Sequence, residues 1–514
     1  MRPPQQDSYP LAVAAALLGL VPNTVLSTSF LPLRTPVQED LGTSAGTLAV
    51  LLGLASAAYA IGAVAAAQLV LRHTGRRAFL AAEAGFVACS LLAALAPDAL
   101  LFGIGRVGQG FAAGTMLVTA LPPLITRFGP ERVGRSAAIV NVGIFGASTL
   151  GPLVGGLAVH GSGAGAGWRL LLLVAGVLGA AGLAVGLVGY PAYEPPDPDR
   201  RVDVPLHLLV VIATVPTFAA ASLAASSPLL SWRVAGLAGV GAIALVALLV
   251  WEARRRDALI PIGALSTQVP ITAVLVVLVG GAVFVTVVEL LQTRLTTVGG
   301  HGAWDAGLLF WPAPLGAGAA ALIFWRLFST RFVPVLVDVG LVLLAAGALL
   351  PLLSASDALV PWAALLLGLG AGSTVSPGLF LIGLGMPSDR LGRAFALVQL
   401  LRSVATYAVA PVVLAVASGH GVPSSTGLRD GLEAMAAVAV TGLLIALVLP
   451  AVSGARLRTP DLASWLDGDR AVPSPPTATH LRPGVEAAVE DGAEPLLPSR
   501  WRRRPGQGRG AGRR

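Results

Sequence analysis

The sequence predicts an all-α membrane protein of fourteen transmembrane helices, and three observations predict it. Of 514 residues, 55% are hydrophobic and 12% charged, with a mean hydropathy of +0.80, whereas soluble proteins carry about 25% charged residues. One bilayer-spanning helix takes about 20 apolar residues and fourteen take roughly 280–300, close to what this chain's apolar content supplies. The arginines also alternate from loop to loop in the manner that orients a polytopic chain. A soluble enzyme, a disulfide scaffold and a disordered chain are excluded.

Apolar runs bounded by Pro, Gly and Arg place the spans near 10–32, 44–71, 77–96, 99–126, 134–159, 167–190, 205–225, 232–253, 269–292, 303–326, 331–353, 358–386, 390–417 and 429–452. Runs beyond about 23 residues fit by tilting or protruding. With the N-terminus cytoplasmic, fifteen arginines fall in inner loops and five, Arg34, Arg169, Arg233, Arg294 and Arg429, in outer ones. An odd number of spans would scramble this asymmetry, so both termini are expected inside a plasma (inner) membrane. The first apolar run has no basic region beyond Arg2, so no cleavable signal peptide is expected.

The chain repeats itself. Gly134-Arg135-Ser136-Ala137, opening span 5, returns as Gly392-Arg393-Ala394-Phe395 opening span 13, 258 residues on. Ala96-Pro97-Asp98 returns as Ala355-Ser356-Asp357, and His160-Gly161 as His420-Gly421. Asn141 and Gln399 thus become repeat partners. Two parallel six-helix halves are predicted, with spans 7 and 8 inserted. The expected organisation is a cytoplasmic N-terminus (1–9), an N-terminal bundle (10–190), a linker with the inserted pair (191–268), a C-terminal bundle (269–452) and a disordered basic tail (453–514). In transporters built from such repeats the substrate site lies at mid-membrane between the halves.

Cofactor and metal chemistry find no support. Cys89 stands alone, the six histidines never cluster at ligand spacing, and every one of the 34 basic residues is Arg, so no phosphate-binding Gly-x-x-x-x-Gly-Lys exists. Much of the net charge of +8 lies in the tail, around Arg502-Arg503-Arg504 and Arg513-Arg514. Such a tail suits anionic lipid better than nucleic acid.

Two runs carry a family likeness. Span 5 holds Gly146-Ala147-Ser148-Thr149-Leu150-Gly151-Pro152-Leu153-Val154-Gly155-Gly156, and span 4 holds Arg106-Val107-Gly108-Gln109-Gly110. Trp168-Arg169 opens span 6, Glu252 and Pro261 flank the end of span 8, and Asp305 with Pro312 opens span 10. On these residues the chain resembles the fourteen-helix drug:proton antiporter branch of the major facilitator superfamily over roughly residues 10–452. The glycines permit close helix approach, and Pro152 removes a donor and bends its helix. The resemblance marks Gly146, Gly151, Pro152, Gly155 and Gly156 as the antiporter motif and Arg106, costly in a span, as a group that tunes coupling; a plain interhelical hydrogen bond is its other reading. Two departures stand out. Arg72 occupies the place of an Asp in the loop ending Gly75-Arg76-Arg77, and in span 1 Asn23 replaces the usual Asp and Thr28 an Asn. Asn23 cannot carry a proton.

By the same resemblance spans 1, 2, 4, 5, 9, 10, 12 and 13 surround the pathway. Glu289 is then the cavity-side carboxylate and a candidate for proton coupling, unless it sits in external water, pairs with Arg294 or contacts a cationic substrate. Further cavity candidates are Gln109, Asn141, Gln292, Trp311, Gln399, Arg402 and Tyr407, alongside Asn23 and Thr28. Glu83 and Asp338 are expected to pair with Arg76, Arg77 or Arg331 in a cytoplasmic gate. The function implied is a monomeric secondary transporter, not an enzyme, that exports drugs or organic metabolites against protons by alternating access. A proton-independent facilitator, favoured by Asn23, and a transport-inactive receptor or scaffold are the rivals.

Overall fold

The computed structural model describes residues 8–472 apart from 162, 192–194, 196, 225–226, 256–257, 260–261, 263–266, 355, 420–422 and 454–457. The expectations for Pro261, Ala355, His420-Gly421 and the terminal arginines lie outside the described residues. The spans are α1 (Tyr9–Ser29), α2 (Ala45–Arg72), α3 (Gly75–Ala94), α4 (Ala99–Thr126), α5 (Pro130–His160), α6 (Gly165–Gly189) and α7 (Val204–Leu223). There follow α8 (Trp232–Arg254), α9 (Gln268–Val298), α10 (Ala303–Leu327), α11 (Val333–Leu353), α12 (Asp357–Leu384), α13 (Ser388–Ser418) and α14 (Ser425–Val452). Among the described residues thirteen of these are long and apolar enough to cross a membrane. The fourteenth, α4, is 28 residues long and diluted by Arg106 and Gln109, but packs between α2 and α3.

Local chemistry sets the helix starts. Side chains of Ser44, Thr74, Asp98, Asp203 and Ser231 accept backbone N–H groups at the N-termini of α2, α3, α4, α7 and α8, as capping residues do. Asp357, opening α12, instead faces Arg294 at 3.6 Å and His301 at 3.0 Å. Outward-facing Leu and Val, such as Val177 and Leu187 on α6 and Leu444 and Val448 on α14, are exposed, which a hydrocarbon surround accommodates.

The packing pairs come in two matching sets. In the first half α1 meets α4, α5 and α6, and α4 meets α2 and α3; in the second α9 meets α12, α13 and α14, and α12 meets α10 and α11. These are two six-helix bundles of one plan. The bundles join through α2 with α13 and α5 with α10. The inserted α7 and α8 pack on each other, and α7 lies against both α2 and α13, covering one of the two seams. Gln68 is buried and uses both amide atoms there: it donates to the Arg201 carbonyl at 2.8 Å and accepts the Asp203 N–H at 3.2 Å. Its length ties α2 to the start of the inserted pair.

The expected disorder from 453 onward fails over residues 458–472. Leu462–Leu466 form a short helix capped by Asp461, and Trp465 is buried. Its indole N–H donates to the carbonyls of Gly383 (3.1 Å) and Met386 (2.9 Å) at the end of α12. The same helix touches the start of α5, so it lies across both bundles on the side of the termini. A buried indole with two acceptors holds a place, and composition alone did not reveal it.

Candidate functional site

A cavity of about 280 Å³ lies at the seam between the bundles. Its wall residues come chiefly from the halves of α1, α2, α4, α7, α9 and α13 that lie away from the termini, with the middles of α5 and α12 beneath them, so it opens on that face. Towards the termini the seam is shut. Asn141, fully buried on α5, donates from Nδ2 to the Gly372 carbonyl of α12 at 2.8 Å. A methyl group at Gly134 would touch the ring of Phe328, and one at Gly392 would touch Pro122.

The wall has two cations of matching construction, Arg106 buried and Arg402 half-buried. Arg106 on α4 lies 4.6 Å from the Phe30 ring centre and donates to the Gln109 side chain, whose amide donates in turn to Ser90 at 2.7 Å. Arg402 on α13 lies 5.8 Å from the Phe145 ring centre and donates from Nε to Gln399 at 3.2 Å. Each guanidinium is held by a glutamine three residues away and by an aromatic face of the N-terminal bundle, Phe30 within that bundle for Arg106 and Phe145 across the seam for Arg402. The Tyr59 hydroxyl lies beside Arg402. Glu289, the one carboxylate on this wall among the described residues, faces Arg34 at 3.5 Å across the mouth. Arg294, its alternative partner in the sequence reading, faces Asp357 instead.

Of the residues singled out in the sequence, Asn23, Thr28, Arg106, Glu289, Arg402 and Tyr407 reach the cavity. Gln109 and Gln399 stand behind it orienting the arginines, and Asn141 bridges the bundles below it. Gln292 is buried and Trp311 is more than half exposed, both off the wall. Nor does the helix set match: α10 contributes nothing to the wall, whereas Phe218 and Ser222 of the inserted α7 do. Arg34 and Tyr59 were missed as site residues. A Gln three positions from an intramembrane Arg was the available signal for the paired guanidiniums.

The expected ionic gate is not formed. Glu83 is fully buried between α1 and α6, against Gly19 and Gly182, and neither carboxyl oxygen has a partner. Arg76 donates to the Leu187 carbonyl, and Arg331 lies over the Phe332 ring. Asp338, half-buried, and Arg77 carry no ion pair among the described residues. Gly75 is the buried first residue of α3. The spans place Glu83 and Asp338 inside their own bundles, facing neighbouring helices. Among the described residues the closure is made of apolar rings and the hydrogen bond from the Asn141 amide.

The glycine-rich motif lies beside the cavity floor. There α5 leaves regular geometry, with a π turn over Asn141–Phe145 and a 3-10 turn over Gly146–Leu150, irregularities common at functional sites. Pro152 has no N–H for the Ser148 carbonyl, which takes the Gly151 N–H and the Thr28 hydroxyl, the latter at 2.7 Å. Neighbouring hydroxyls serve this purpose for prolines inside membranes. Side chains at Gly151, Gly155 and Gly156 would collide with Thr28, Ser29 and Ala303 respectively, and one at Gly146 would crowd Ala317.

Two repeated helical bundles that share a central cavity, open at one end and sealed at the other, define a membrane carrier. The pattern of the Major Facilitator Superfamily matches residues 16–411, and the chain belongs to that family. The uncharacterized MFS-type transporter YubD of Bacillus subtilis is 26% identical over 401 residues, covering 76% of each chain. The puromycin resistance protein pur8 of Streptomyces alboniger is 27% identical over 464 residues, 85% of this chain and 89% of that one. Among solved structures, a POT family transporter in complex with 5-aminolevulinic acid covers 87% of this chain and 98% of its own, with a TM-score of 0.63 at 14% identity. That likeness is one of fold.

Proposed function

We propose that this secondary transporter exports amphipathic organic molecules, drugs or secondary metabolites, across a plasma membrane in exchange for protons. The observation that carries the reading is the cavity itself: apolar walls from both bundles, a few polar anchors, and one carboxylate at its mouth bridging α9 to the segment after α1. Such a composition suits organic ligands, and resistance proteins among the relatives point the same way. Positive-inside charge supports cytoplasmic termini, with which the cavity would face outward in this state; the chain would work as a monomer that rocks its two bundles. The tail beyond 472 would contact anionic lipid. Glu289 would take up an external proton, release Arg34 and let the mouth close.

Dye accumulation in a pump-deficient bacterium expressing the chain tests this. Energised efflux should stop when the proton gradient is collapsed and in Glu289→Gln. Efflux that survives both removes the coupling. The second reading, a proton-independent facilitator, draws on Asn23, which stands on the cavity wall without an acid; it requires the substrate to equilibrate after the gradient is gone.

A further inference from the structure

The charges on the cavity wall do not balance. Four ionic side chains reach it, Arg34, Arg106, Glu289 and Arg402, and the single carboxylate already faces Arg34. Among the described residues no carboxylate pairs with Arg106 or Arg402. Arg106 is 7% exposed, and its Nε has no partner. A guanidinium inside a membrane is costly, and stacking on Phe30 or Phe145 with a glutamine contact, joined for Arg402 by the Tyr59 hydroxyl, offsets only part of that cost. Two such groups, one from each bundle, leave the site with an excess of positive charge.

We infer that the cavity selects organic anions: an amphipathic molecule whose carboxylate, sulfonate or phenolate is held by Arg106 and Arg402 while its apolar body rests on Leu52, Phe284, Val285 and Leu414. This rests on the reading of the cavity as the substrate site and adds the substrate's charge. Guanidinium forks match planar and tetrahedral oxyanions. Gln109 and Gln399 each take one edge of a guanidinium, which orients the remaining N–H groups. Because the two arginines belong to different bundles, one bound anion touches both moving parts. A cationic substrate would meet two like charges in a space of about 280 Å³, with only a carboxylate already paired to receive it.

Titration calorimetry on the purified full chain, with two probes of one ring system, decides the matter. Naphthalene-1-sulfonate should bind and 1-naphthylmethylammonium should not. Arg402→Gln and Arg106→Gln should each weaken sulfonate binding about tenfold or more, the worth of a hydrogen bond to a charged group. Arg402→Lys, which keeps the charge but not the fork, should lose less than Arg402→Gln, which separates lost charge from lost folding. Tighter binding of the ammonium probe, sulfonate binding unchanged in both glutamine variants, or binding of neither probe overturns the inference. Dye efflux in cells is read separately. Gradient-sensitive export of a cationic dye alongside failed sulfonate binding would leave the export reading standing and remove the charge selectivity. Sulfonate binding without any energised efflux would do the reverse.

Discussion

α5 and α13 hold corresponding places in the two bundles, and their prolines, Pro152 and Pro411, stand 259 residues apart. At the same register α5 has Gly143, Gly151, Gly155 and Gly156 where α13 has Arg402, Ala410, Leu414 and Ala415. The consequence is a division of labour. The α5 glycines let its backbone settle on α1 and on α10, whose Gly307 in turn lies against the Pro152 carbonyl. α13 stays a continuous helix over Leu391–Ser418, and its larger side chains, among them Arg402, Tyr407 and Leu414, form cavity wall. Both units join the bundles and both reach the cavity, but the glycines make α5 chiefly close-packed seam while the side chains of α13 supply more of the wall. The inserted α7 covers α13 rather than α5, so the unit with the looser partner is the one that needed a third neighbour.

The largest expected effect comes from giving α5 the side chains of α13. Gly155→Leu and Gly156→Ala would drive a side chain into the Ser29 and Ala303 backbones; overpacking costs about 1–3 kcal/mol, and more when backbone cannot yield. Efflux should be abolished, with a lower midpoint of thermal unfolding in detergent. The reciprocal change, Leu414→Ala on α13, should leave folding nearly intact and alter which substrates are carried, read as a shift in KM with little change in unfolding midpoint. Equal damage from both changes would erase the distinction between seam and wall.

Much of this architecture is legible in the sequence because the bilayer imposes it. Twenty-residue apolar runs, arginine asymmetry and a repeat at nearly one offset fix the number and pairing of helices without any side-chain detail. The site was legible in part. Arg106, Arg402 and Glu289 stand out because charge in a span is expensive. What escaped was what depends on relative placement. Glu83 reads like half of a gate because arginines stand two turns away, yet its helix turns it inward against Gly19 and Gly182. Asn141 reads like a ligand group but reaches across to a backbone carbonyl. The tail helix at Leu462–Leu466 is too short to show a period, and only its contact with α12 gives it order.

A middle-sized effect is expected at Thr28, whose hydroxyl joins α1 to the irregular stretch of α5. Thr28→Val keeps the shape and removes the donor. Interhelical hydrogen bonds in membranes are worth about 0.6–2 kcal/mol, so the unfolding midpoint should fall modestly and transport should slow. Thr28→Ser should keep both. Identical behaviour of the Val and Ser variants would show that packing against Gly151, and not the hydroxyl, sets this crossing.

The smallest effect is the most discriminating. In Pro152→Ala the new N–H can bond to the Ser148 carbonyl in regular α fashion, and the Thr28 hydroxyl can turn to the Val25 carbonyl, already 3.3 Å away. The single change should therefore shift stability by only a few tenths of a kcal/mol, since a lost interaction and a gained one nearly cancel. Its value lies in the double variant. If the hydroxyl stands in for the donor that proline lacks, Thr28→Val should lose most of its cost once residue 152 supplies an N–H, giving a coupling close to the whole Thr28 effect. Pro411→Ala, on the helix with no such partner on α1, should leave the cost of Thr28→Val unchanged. A penalty at Thr28 that persists undiminished beside Pro152→Ala would place the hydroxyl's contribution elsewhere and detach the bend in α5 from the helix that it leans on.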